Sequence, residues 1–160
     1  MCKLLGSILI GTTLLLALSA VPGEASSLPT DVSILVTTYF LDTGNSGPFI
    51  ASGPAVTDGI ICPEGIATDI YNRGSGYQSK WGAANYLVLK EFTCDDGSGS
   101  FILKIEARVD WRGDNGPWNV FSGSGSYEKL HGAGSLYGEY FFDDEDNVIG
   151  VYDYVSGKVH

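Results

Sequence analysis

Ser100–Trp111 reads SFILKIEARVDW, and its alternation decides the fold. Phe101, Leu103, Ile105, Ala107, Val109 and Trp111 share one parity; Ile102, Lys104, Glu106, Arg108 and Asp110 share the other. A helix would scatter both sets around its circumference, whereas a strand sends them to opposite faces. The segment is therefore a strand with one buried face, and Phe101, Leu103 and Ile105 point into the core.

Working outward, Asn85–Cys94 (NYLVLKEFTC) is a second strand, joined to the first by the hairpin signal Asp95-Asp96-Gly97-Ser98-Gly99. Val32–Leu41 (VSILVTTYFL) is rich in β-branched and aromatic residues and opens the fold. Phe49–Ala51 with Ile60–Cys62, and Ile66–Tyr71, are weaker strands broken by Gly and Pro. Trp118–Ser122, Gly132–Phe142 and Val148–Val155 complete the set. No segment sustains a period of 3.6, so helix is minimal. Residues 72–84 read as a surface loop, or as a segment carrying Trp81 to a barrel mouth. The expectation is an all-β chain: a closed antiparallel up-and-down barrel of about eight strands, which leaves no exposed sheet edge.

Met1–Ser27 has the three parts of a secretory leader: Lys3, an apolar run over Leu4–Ala20, and Gly23-Glu24-Ala25 before a cleavage at Ser26. The organisation expected is a signal peptide over 1–25 and one domain over 26–160, released outside the cell. Cleavage removes Cys2 and leaves Cys62 and Cys94, which in an oxidising compartment most simply pair. The bridge closes a loop of 33 residues, worth about 3.7 kcal/mol by loop entropy. The chain carries 9 Lys and Arg against 19 Asp and Glu, a net charge of −10. Such acidity excludes a nucleic-acid partner, which needs a basic patch, and argues against docking on an anionic membrane.

Trp118–Gly134, WNVFSGSGSYEKLHGAG, is the most distinctive run. Gly123 and Gly125 permit a tight turn of positive φ, and Tyr127–Leu130 forms one helical turn that places Tyr127 and Leu130 over the barrel end as a plug. Paired glycines also cradle phosphates, but only before a full helix, which is missing here. With Phe92–Phe101 (FTCDDGSGSF), the turn at Gly123–Gly134 resembles secreted bacterial proteins of the allene oxide cyclase-like barrel superfamily, which includes dirigent-like proteins. The resemblance spans Phe92–Gly134, about a third of the chain after the leader. It implies an eight-stranded barrel around an apolar cavity and transfers no catalytic residue.

Other motifs have simpler explanations. Asp114-Asn115-Gly116 signals a turn, which also accounts for the Arg112-Gly113-Asp114 tripeptide. Asp143, Asp144 and Asp146 lie in an acidic run that suits a solvated hairpin tip; they are weak Ca²⁺ candidates, and no metal is expected. His131 and His160 have no nucleophile beside them, and His160 reads as a frayed terminus.

The last third of the chain is crowded with aromatic residues. Phe101, Leu103, Ile105, Trp118, Tyr137 and Tyr152 are the candidates for a cavity wall that takes a small apolar or aromatic ligand, with no cofactor. Two alternatives stand beside that reading. One is a cyclase or isomerase that confines a small hydrophobic substrate, the other an extracellular Ca²⁺-dependent structural or adhesion module. A purely apolar cavity favours a carrier; a buried Asp, Glu or Tyr with a shifted pKa favours the enzyme.

Overall fold

The computed structural model describes residues 28–75 and 84–160. The leader read over 1–25, and Trp81, lie outside the described residues. Eight strands are present: β1 (Thr30–Leu41), β2 (Gly44–Ser52), β3 (Glu64–Ser75), β4 (Ala84–Cys94), β5 (Gly99–Val109), β6 (Asp114–Gly125), β7 (Gly132–Phe142) and β8 (Val148–Val159), with one short helix, α1 (Pro54–Thr57). Each strand pairs antiparallel with the next, and β8 returns to β1 from Thr30↔Val159 to Tyr39↔Gly150, closing the barrel. Closure gives every strand a neighbour on both sides, although the β2–β3 ladder reaches only Glu64–Thr68 of β3 and the β6–β7 ladder only Asn115–Asn119 of β6.

The interior of one end is packed solid. Phe92 and Phe101, directly paired across β4 and β5, stack with ring centroids 4.9 Å apart. Phe49 and Tyr127 meet them edge-on, at 5.2 Å from Phe92 and 5.5 Å from Phe101 respectively. Ala55 of α1, Ile61 and Leu130 complete the seal. Cys62 and Cys94 are bonded, tying the segment after α1 to the end of β4.

Tyr127 and Leu130 are buried as a plug, held by a hydrogen-bonded turn from Leu130 N to Tyr127 O (3.0 Å) in place of the expected helical turn. Gly125 does take positive φ, 61°, whereas Gly123 is needed for close approach, because a Cβ there would overlap the Tyr127 carbonyl.

Several boundaries differ from the sequence reading. Ile60–Cys62 is irregular, because it serves the plug and not the sheet. Residues 72–75 extend β3. The β5–β6 turn falls at Asp110–Gly113, closed by Asp110 N to Gly113 O (2.9 Å) with Gly113 at φ 156°. Trp111 is therefore past the strand end and 78 % exposed, with the Arg112 guanidinium over its ring. His160 is not frayed: its backbone pairs with His131 in both directions at 2.9 Å.

Candidate functional site

The other end of the barrel is hollow. A cavity of about 250 Å³ is lined by apolar side chains (Val88, Ile105, Ala107, Val109, Leu136, Val151), by the rings of Phe40, Tyr86 and Tyr140, and by Thr38, Asn45, Asp69, Asn72, Lys90, Asp114 and Asp153. Three carboxylates and one ammonium thus occupy inward positions that alternation assigns to apolar residues.

Each charged group is placed by its strand. Lys90 follows Tyr86 and Val88 on the inward parity of β4 and precedes Phe92; Asp153 lies between Val151 and Val155 on β8. Asp69 pairs directly with Lys90 across β3 and β4, one residue before a bulge that inserts Ile70. The extra residue switches parity, so that Asn72 also lines the cavity. Asp114 is the first residue of β6, and Gly138 makes room for it: a Cβ at 138 would overlap Asp114 Oδ1.

Lys90 makes two hydrogen bonds and a further ion pair inside the barrel. Its Nζ is 2.7 Å from Thr38 Oγ1, 2.8 Å from Asp153 Oδ2 and 3.3 Å from Asp69 Oδ1. Thr38 in turn donates to Asp153 Oδ2 (3.1 Å), and Asn45 donates to Asp69 Oδ2 (3.1 Å). Burial opposes the charge on Lys90, but Asp153 and Asp69 outweigh it and hold its pKa above the usual lysine value.

Asp114 goes the other way. Burial first, then the Asp153 charge, raise its carboxyl from 3.8 to about 7; Lys90 offsets this only in part. Tyr140 is pushed up to about 12, by burial and then by Asp114. Among the described residues, the buried side-chain polar atoms without a hydrogen-bond partner are Asp69 Oδ1, Asp114 Oδ1 and Asp153 Oδ1. Asp69 Oδ1 still has its ion pair with Lys90, at a geometry too oblique for a hydrogen bond. Unpaired buried oxygens are costly, and all three belong to this one cluster.

The sequence candidates divide three ways. Ile105 lines the cavity. Phe101, Leu103 and Trp118 are interior but belong to the packed core, with Trp118 Nε1 donating to the Ser135 and Ser156 carbonyls at 3.1 Å each. Tyr137 and Tyr152 are corrections: both are on the outer face, 53 % and 38 % exposed, because their parity on β7 and β8 is opposite to that of Leu136 and Val151.

The acidic hairpin is a built turn. Asp143 Oδ1 accepts from the Glu145 and Asn147 backbone at 2.9 Å each, and hydrogen bonds led by Asn147 hold its carboxyl below the usual range. Asp144 and Asp146 are exposed beside it. No group of three or more His, Cys, Asp or Glu converges on a metal position among the described residues.

Comparisons against family models, curated proteins and solved structures each find no match. Fold and site together define the class: a closed eight-stranded barrel, sealed by aromatic packing at one end and carrying a charged cavity at the other.

Proposed function

We propose that the barrel is an acid–base enzyme of the cyclase or isomerase kind, acting on one small substrate confined in this cavity. The carrying observation is Asp114: a carboxyl in the cavity lining, with one oxygen unpartnered, that changes charge near pH 7. A group poised there both donates and accepts protons at useful rates. An isomerisation or ring closure needs just that, a proton given at one atom and taken at another. The Lys90–Asp153–Asp69 network supplies a fixed field beside it, and the apolar wall from Val88 to Val151 holds the substrate body out of water. A purely apolar carrier accords less well with three buried carboxylates, since they cost stability and add nothing to apolar binding.

The reading is consistent with membership of the allene oxide cyclase-like superfamily, which we propose on the Phe92–Gly134 motifs together with the closed barrel. The Cys62–Cys94 bridge supports a secreted protein.

The test is untargeted mass spectrometry of a small-molecule extract incubated with the protein. Wild type converts a compound into one of unchanged mass and new retention time, and Asp114→Asn does not. Compounds that co-purify with both proteins and are returned unchanged would mean a carrier.

A further inference from the structure

The charge inventory of the cavity goes beyond the type of reaction and bears on the ligand. Its lining contains one cation, Lys90, and three carboxylates, Asp69, Asp114 and Asp153. Lys90 is already engaged by protein groups, through hydrogen bonds to Thr38 and Asp153 and an ion pair with Asp69. Asp153, 1 % exposed, keeps one oxygen unpartnered, and so does Asp114. Negative charge is therefore left over in a cavity of mixed polar and apolar lining, where it is screened less than on the open surface. Arg112 cannot supply the balance: it is exposed and paired with Asp110 at 3.2 Å. Three rings, Phe40, Tyr86 and Tyr140, also line the cavity, and aromatic faces attract cations. At about 250 Å³ the space is below the range of drug-sized pockets.

From this we infer that the cavity takes a small organic cation: a protonated amine whose ammonium head completes the charge balance of Asp114 and Asp153 and whose short apolar or aromatic body rests against Phe40, Tyr86 and Tyr140. The inference rests on the reading of this cavity as the functional site, and it deepens that reading by naming the substrate class.

Binding is linked to protons. The groups that act electrostatically on Asp114 are Asp153, Lys90 and Asp69, and Tyr140 lines the same cavity. The Asp114 carboxyl is raised to about 7, so the cation binds more tightly as pH rises through that value and expels the Asp114 proton.

The experiment is calorimetric titration of the full chain with benzylammonium and with benzyl alcohol, its neutral counterpart, between about pH 5.5 and 8. Asp114→Asn is the cavity variant, and Asp144→Asn, on the exposed hairpin, controls for the overall charge. The expected result is an affinity for benzylammonium at least tenfold above benzyl alcohol at pH 8. That preference shrinks at least tenfold at pH 5.5 and in Asp114→Asn, and persists in Asp144→Asn. Equal affinities, a preference for the alcohol, binding of neither probe, or a preference lost equally in both variants would overturn the inference. The acid–base reading is separable: if the alcohol is preferred while Asp114 still titrates near 7, the proposed chemistry stands and the cationic substrate falls.

Discussion

Lys90 and its partners illustrate how uneven the energetics of a buried charge are. Lys90 is 4 % exposed and is held by two hydrogen bonds and two carboxylates, yet removing it strands Asp153 and Asp69 in the interior. Lys90→Met should therefore cost about 3–5 kcal/mol in chemical denaturation, far more than the pair contributes when intact. Asp114 gives the opposite signature. Its folded pKa of about 7 is above its unfolded value of 3.8, so the folded state holds the proton more tightly. That contribution is fully present below the unfolded value and is lost as pH rises through the folded one, up to about 4 kcal/mol in all. Wild type should lose stability relative to Asp114→Asn between about pH 4 and 8, as read from paired melting curves; parallel curves would count against it. Lys90 does not confuse the comparison, since its raised pKa confines its own loss to alkaline pH. These residues were legible only by parity. Lys90, Asp153 and Thr38 each occupy an inward position next to apolar neighbours such as Val88, Val151 and Val36. A charged residue on a core parity is the signal, and a search for linear motifs passes over it.

Among the elements, four strands are legible almost to their ends: β5 from its strict period of two, β1 from its β-branched and aromatic content, and β4 and β7 from the glycine-rich turns that bound them. The turn between β5 and β6 was misplaced by three residues, because Asp114-Asn115-Gly116 has the composition of a turn and nothing local reveals that Gly113 already makes one. That slip also hid Asp114, which reads as a turn residue until β6 is seen to begin with it. It disposes of the Arg112-Gly113-Asp114 tripeptide as well, since its aspartate lines the cavity. Glycines hold the paired elements close. A Cβ at Gly157 would overlap the Ala133 carbonyl and come within 2.6 Å of Trp118 Cζ2. Gly157→Ala is expected to lose about 1–3 kcal/mol by overpacking and to shift Trp118 fluorescence. Gly138→Ala should displace the Asp114 carboxyl and change its titration with a smaller effect on the sealed end, which near-ultraviolet dichroism of the Phe49–Phe92–Phe101 cluster would register.

For the whole molecule, closure and sealing are separate devices. The ladder from β1 round to β8 closes the wall, and the Phe cluster with Tyr127, Leu130 and α1 closes one end. The Cys62–Cys94 bond staples that end, so replacing both cysteines by serine should lower stability by about 3–4 kcal/mol while leaving the cavity titration unchanged. The barrel was legible because alternation is a local property repeated along the chain. The cavity was not, since it depends on which inward side chains are too small or too charged to fill the centre. That is a property of all eight strands together.

The most direct measurement is a pH titration of the aspartate side-chain carboxyl carbons by NMR on the intact protein. One carboxyl should ionise at about pH 7, and that transition should vanish in Asp114→Asn. If every aspartate carboxyl has ionised by about pH 5, within the ordinary range, Asp114 is not a neutral-pH acid and the proposed chemistry is wrong.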